Sequence, residues 1–159
     1  MNGNTTGWIS FFTIVTASIF LALLVCRYRK VAFVDGLVAG FASWLSFAFD
    51  MIFCKELLAY HYVTIKYAGL NSFIAGMTIF PAITIIFFSF IPKTKNKLIL
   101  YILAWSVGLT IFELAVVPLK AVVYPKWRII PWSLLLYLIV FPILITYRNF
   151  LIKHIKTSD

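Results

Sequence analysis

Three carboxyl groups stand where carboxyl groups are rare. Asp35, Asp50 and Glu113 lie within or at the margins of long apolar runs, whereas the other two acids, Glu56 and Asp159, do not. A carboxyl so placed can pair with a base, hold a proton, bind a cation or act as a general base. Its charge costs about 2.5–3.5 kcal/mol near the centre of a bilayer on insertion scales, so depth decides its meaning. Asp35 sits a few residues from Arg29 and Lys30 at the end of a run, and reads as an interfacial ion pair of small energetic worth. Asp50 precedes Cys54 by four residues and Glu113 precedes Pro118 by five. At about 1.5 Å per residue, both lie roughly 6–8 Å beneath the same end of their runs. Similar depth allows a shared polar site, with Asn71 and Lys120 as neighbours and Lys55, His61, Tyr124, Lys126, Trp127 and Arg128 in the loops above. The competing structural reading gives each acid a Lys or Arg partner that holds the helix ends in register.

Other reactive residues point away from catalysis. Tyr60-His61-Tyr62 has the look of a ligand cluster, but the second histidine, His154, belongs to the opposite end of the chain's layout. A zinc site takes three or four ligands, so neither a metal nor any other cofactor is expected. Glycine-rich phosphate loops, Ser-His-Asp sets and metalloprotease motifs are absent from the sequence. Cys26 and Cys54 close successive apolar runs that cross in opposite directions, which puts them at opposite surfaces, a bilayer apart and beyond the Cα spacing of about 4.4–6.8 Å that a disulfide requires. These features together predict a protein that is not an enzyme.

The elements that must carry these residues follow from composition. The chain has 159 residues, 63% of them hydrophobic and only 12% charged. Its mean hydropathy is +1.00. A soluble domain of this size leaves too much surface exposed to hide so much apolar material, and disordered chains are poor in aromatics and rich in charge. The net charge of +9 does not signal nucleic acid, because the basic residues cluster at the ends of apolar runs rather than on one face of a polar domain. Five runs reach the roughly 20 residues that a helix needs to cross a bilayer: residues 8–26, 31–54, 67–91, 98–117 and 129–147. The fold class is therefore all-α, a single membrane domain built as a five-span helical bundle. Residues 1–7 hold no basic side chain, unlike the positive leader of a signal peptide, so the first run is expected to be retained.

Charge also orients the bundle. With the N-terminus outside, the inner segments hold Arg27, Arg29, Lys30, Lys93, Lys95, Lys97, Arg148, Lys153 and Lys156, nine bases against the outer five of Lys55, Lys66, Lys120, Lys126 and Arg128. Positive residues favour the cytoplasmic side, which predicts the N-terminus outside and the C-terminus in the cytoplasm. Trp8, Tyr124, Trp127 and Trp132 read as interfacial anchors at the outer ends.

Lipid does not drive helices together by hydrophobicity, so small residues and polar contacts must do it. Gly36, Gly40 and Ser43 form a stripe on the second span that continues to Phe47 and Asp50. Ala68, Ser72 and Gly76 repeat the pattern on the third span, and Ala104 and Gly108 on the fourth. Ser106, Thr110, Glu113 and Lys120 make a second, polar stripe on the fourth span, expected to face other helices or a water-filled crevice.

From Glu113 the order runs to Tyr124, Trp127 and Ser133 in the stretch Tyr-Pro-Lys-Trp-Arg-Ile-Ile-Pro-Trp-Ser, and then to Tyr137. With the five-span layout, residues 31–150 resemble a family of small, uncharacterised integral membrane proteins common in spore-forming Gram-positive bacteria. The resemblance implies a bacterial cytoplasmic membrane and a role in the cell envelope or in spores, and it carries over no functional residue. The leading expectation is a non-enzymatic envelope component or a subunit of a membrane complex, with membrane lipid, a second copy or another membrane protein as partner. A small transporter or channel subunit with an outward-facing site at Asp50 and Glu113 is the first alternative. A membrane enzyme acting on lipid is the second.

Overall fold

In the computed structural model, which describes residues 3–155, five long helices account for almost the whole chain. Lys156, one of the bases counted above, lies outside the described residues. Helix α1 covers Gly3–Tyr28, α2 Phe33–Asp50, α3 Ala68–Ser89, α4 Lys95–Val116 and α5 Leu134–Ile155. Short turns extend several of them, so the apolar segments run Thr5–Tyr28, Phe33–Glu56, Ile65–Ser89, Lys95–Leu119 and Ile129–Ile155, each 24 to 27 residues long. At about 1.5 Å per residue, every one is long enough for the roughly 30 Å of a bilayer's hydrocarbon. The five expected spans are all present, and the last continues beyond residue 147 to Ile155.

Helix is the natural answer to this sequence despite its many β-branched and aromatic residues. An apolar surround offers no water to the backbone, and only a helix satisfies every N–H and C=O within the segment. Hydroxyl groups follow the same rule by turning back on their own helix. Ser43 donates to the Ala39 carbonyl at 3.1 Å, Thr84 to Phe80 at 2.8 Å and Thr110 to Ser106 at 2.8 Å.

Two cores join the helices. Helix α3 packs between α1 and α2, α4 packs on α5, and α5 meets α2. The first core gathers Phe11 and Val15 of α1, Ala75 of α3, and Tyr62, Val63 and Ala121 from the loops. The second gathers Val38 and Ala42 of α2, Phe87 and Phe88 of α3, and Phe141 and Leu144 of α5, with Tyr101 and Trp105 of α4 against it. Close to this second core, Arg148 Nε donates to Asp35 Oδ1 at 2.5 Å and ties α5 to α2. Asp35 also accepts from the backbone N–H of Ala32 just before its helix, at 3.4 Å. Its ion-pair partner is therefore Arg148 rather than the neighbouring Arg29 or Lys30.

The loops after α2 and after α4 meet at the other end and form a lid, called here the cap. His61–Tyr62 (β1) pairs antiparallel with Val122–Val123 (β2), His61 opposite Val123 and Tyr62 opposite Val122. The backbone N–H groups of Lys126 and Trp127 both donate to the Ala59 carbonyl, at 3.1 and 3.0 Å. Helix α1 docks beneath the cap at Gly7, where an added Cβ would come within 2.7 Å of the Lys120 carbonyl oxygen.

The small-residue stripes need correction. Gly76 does serve a helix contact, since a Cβ there would touch Ser43, Ser46 and Phe47 at 3.7–3.9 Å. Ser43 and Ser72 are buried. Gly36, Gly40 and Gly108 instead face outward, with nothing within 4 Å of where a Cβ would stand. Helices α2 and α3 cross through Ser43, Ser46 and Phe47, which turns the Gly36–Gly40 edge away from the bundle.

Gly7→Ala should destabilise the protein by about 1–3 kcal/mol, the usual cost of overpacking, whereas Gly36→Ala should be neutral or stabilising by up to about 1 kcal/mol. Titration with dodecyl sulfate in mixed micelles reads both. By the same measurement Asp35→Ala, which strands Arg148, should cost about 3 kcal/mol.

Candidate functional site

The site begins where α2 ends. Asp50 is the last residue of the α-helix, and the next turn, Met51–Glu56, widens to a π-helix. Single π turns inside helices recur at functional positions because they re-aim the side chains around them. The fifth span opens differently, with a kink at Ile129–Ser133 where Ile130 is extended, and it delivers Ser133 and then Tyr137. Both irregular turns border one interior space under the cap.

Each acid in that space is bonded to a phenol. The Tyr60 hydroxyl, ten residues on from Asp50, donates to Asp50 Oδ1. The Tyr137 hydroxyl, 24 residues on from Glu113, donates to Glu113 Oε1. The second oxygen of each carboxyl, Asp50 Oδ2 and Glu113 Oε2, is buried without a hydrogen-bond partner. Ser72 and Tyr62 are the next hydroxyls around Asp50, and Ser133 stands beside Glu113. Among the described residues the one ion pair is Asp35–Arg148, so neither acid is matched by a Lys or Arg. The expectation that bases hold these two acids is thus replaced by hydroxyl donors.

Two adjoining chambers form around this pair of bonds. One, of about 80 Å³, contains Asp50, Ser46 and Thr84 among apolar walls. The other, of about 130 Å³, contains Glu113, Tyr124, Trp127 and Ser133. Tyr60 and Tyr137 line both, as do Phe80, Ile83, Leu109 and Leu136. Asp50 and Glu113 therefore do not touch; the two tyrosines that bond them make the partition between their chambers. Towards the opposite end of the bundle the space is closed by aromatic packing, with Phe87 stacked on Phe141 at 4.4 Å between ring centroids and Trp105 edge-on to Phe87.

The cap supplies the aromatic wall. Tyr60 lies 6.0 Å from both Tyr124 and Trp127 by ring centroids, and Trp127 donates its indole N–H to Ser133 Oγ at 2.9 Å. Burial first, and then the Asp50 carboxylate, push the Tyr60 phenol far above its ordinary value. Burial followed by the carboxylates of Glu113 and Asp50 does the same to Tyr124. Tyr60 thus stays protonated, and a donor to Asp50, throughout the physiological range.

The other expected site residues play supporting parts. Asn71 is fully buried, but its Nδ2 donates to the Tyr62 carbonyl at 3.1 Å, so it holds β1 in place rather than lining a chamber. Lys120 is exposed, at the left-handed end of the Val117–Leu119 turn, and lies on no chamber wall. On the polar stripe of α4, Ser106 and Thr110 are buried, and Thr110 spends its hydroxyl on its own helix. Cys54 accepts a long contact of 3.7 Å from Ser72, and both cysteines are free, as expected from their spacing.

Tyr60 and Tyr137 are the functional residues that the sequence reading missed. Tyr60 was set aside with His61 as part of an unconvincing metal cluster, and Tyr137 entered only through the family resemblance. For Tyr137 the signal is a tyrosine inside an apolar span, away from the interfaces where the aromatic belt lies; Tyr60 lies in a loop and carries no such mark.

No family model, curated protein or solved structure matches this chain.

Tyr60→Phe and Tyr137→Phe should each destabilise the protein by about 1–3 kcal/mol, because each leaves a buried carboxyl without its donor. Tyr124→Phe should cost less than either in the same dodecyl sulfate titration.

Proposed function

We propose that the chain is a multi-pass protein of a bacterial cytoplasmic membrane that binds a small, positively charged ligand beneath the cap. The reading places the cap and the N-terminus outside and the C-terminus in the cytoplasm, following the excess of bases at the opposite end. One observation carries it. Buried Asp50 and half-buried Glu113 are each held by a phenol rather than by a base, and the second oxygen of each is buried without a partner in the wall of an interior chamber. Ionisable groups inside a membrane domain are costly, which makes an unmatched pair a candidate binding site by default.

The same bonds favour recognition over turnover. Tyr60 and Tyr137 are committed as donors, and the polar groups pair with one another instead of setting a nucleophile beside a base. The protein then acts as a non-enzymatic subunit of the envelope, capturing its ligand from outside. Translocation is a second reading, favoured by the inner chamber at Asp50, which extends the space past the two tyrosines towards the aromatic floor.

The test is accessibility. In a Cys26→Ser, Cys54→Ser background, Glu113→Cys in right-side-out membranes should react with a small impermeant thiol reagent added outside, and Asp50→Cys more slowly. Labelling only from the cytoplasmic side, or none in a folded protein, would overturn the outward-facing site.

A further inference from the structure

The chemistry of the larger chamber narrows the ligand, on the premise that the space beneath the cap is a binding site. Its polar complement is lopsided. Glu113 Oε2 is an acceptor with no donor at hydrogen-bond distance and no positive side chain beside it; Tyr137 is spent on Glu113, Tyr60 on Asp50 and the Trp127 indole on Ser133, which leaves the neutral hydroxyls of Ser133 and Tyr124 in the wall. An anion entering this space meets no positive side chain and no free N–H among these groups. A neutral apolar molecule fills the volume but leaves Oε2 as bare as before, and buried polar atoms without partners are costly.

Inorganic cations fit no better. Calcium takes six to eight oxygens and magnesium an octahedron of them. Among the described residues no group of three or more His, Cys, Asp and Glu side chains gathers to bind a metal. Around Glu113 the remaining wall is mostly ring and aliphatic carbon, including Tyr60, Tyr124, Trp127 and Phe112. Aromatic faces attract a cation held within about 6 Å of the ring centroid, and do so most strongly when water is excluded. The chamber, at about 130 Å³, is well below the roughly 300–1,000 Å³ of sites for drug-sized ligands.

We infer that the chamber at Glu113 binds a compact primary alkylammonium ion, its N–H group on Glu113 Oε2 and its carbon chain along the faces of Tyr60, Tyr124 and Trp127. The ion brings both the donor and the positive charge that the chain itself withholds from this carboxyl. Asp50, behind the tyrosine partition with its own free oxygen, is a second station of the same kind.

The experiment uses the full chain in detergent at neutral pH and follows its thermal unfolding midpoint. A ligand that binds only the folded state raises the midpoint in proportion to its occupancy. n-Propylammonium chloride should raise it saturably, while 1-propanol, of the same heavy-atom shape, and sodium chloride at equal ionic strength should not. Glu113→Gln should weaken the n-propylammonium response at least about tenfold, and Lys120→Gln should leave it unchanged. An equal response to 1-propanol would show an apolar cavity indifferent to charge, and an equal response to sodium an inorganic cation site; either overturns the ammonium inference. No response in a protein whose Glu113→Cys is labelled from outside overturns the ammonium inference alone. No response together with no labelling removes the site as well. If Glu113→Gln does not fold, the comparison of the three probes on the unmodified chain decides.

Discussion

A carboxyl group inside an apolar bundle must find a donor, and in this protein both interior donors are phenols. Everything around the cavity is arranged to deliver them. Tyr60 reaches Asp50 only because the helix widens after Asp50 and the chain turns back under the cap. Tyr137 reaches Glu113 only because the fifth span starts with an irregular turn that sets the phase of the helix behind it. A phenol differs from a lysine as a partner in one decisive respect. It is a neutral donor that satisfies one oxygen and leaves the other without a partner.

The cap that presents Tyr60 is built against local preference. Leu58, Val63 and Lys120 all have positive φ, at 49°, 52° and 56°, and none is glycine. Such residues cost of order 1–3 kcal/mol each and persist where the surroundings over-determine them. Here the surroundings are the β1–β2 pairing, the bonds from Lys126 and Trp127 to Ala59, and the contact of Gly7 with the Lys120 carbonyl. Three non-glycine residues in this conformation within two short loops mark the cap as the part of the molecule held by tertiary contacts rather than by its own sequence.

The five spans were legible because hydrophobic length is a property of each segment alone, and residues 31–54 or 98–117 announce themselves without reference to the rest. The common depth of Asp50 and Glu113 was legible for the same reason, through rise per residue. What each acid bonds was not, because Tyr60 follows a π turn and a loop while Tyr137 follows a kink at Ile130, and no periodicity in the sequence marks either irregularity. The small-residue stripes failed at Gly36, Gly40 and Gly108 for a related reason. A stripe names a face that allows close approach, while the crossing of α2 with α3 through Ser43 and Gly76 decides which face is used.

Both carboxyl–phenol bonds are short-range in the chain, Asp50 with Tyr60 in the first half and Glu113 with Tyr137 in the second. The helix contacts divide the same way, with α1, α2 and α3 together, α4 with α5, and α2 against α5 as the helix joint between the halves. Each half of the chain therefore holds both partners of its own carboxyl–phenol bond. The interior space belongs to neither half alone, because its walls take side chains from both and the paired loops of both close over it. The chambered space that brings the two acids to opposite sides of one pair of tyrosines is thus a product of assembly, and neither half of the sequence encodes it alone.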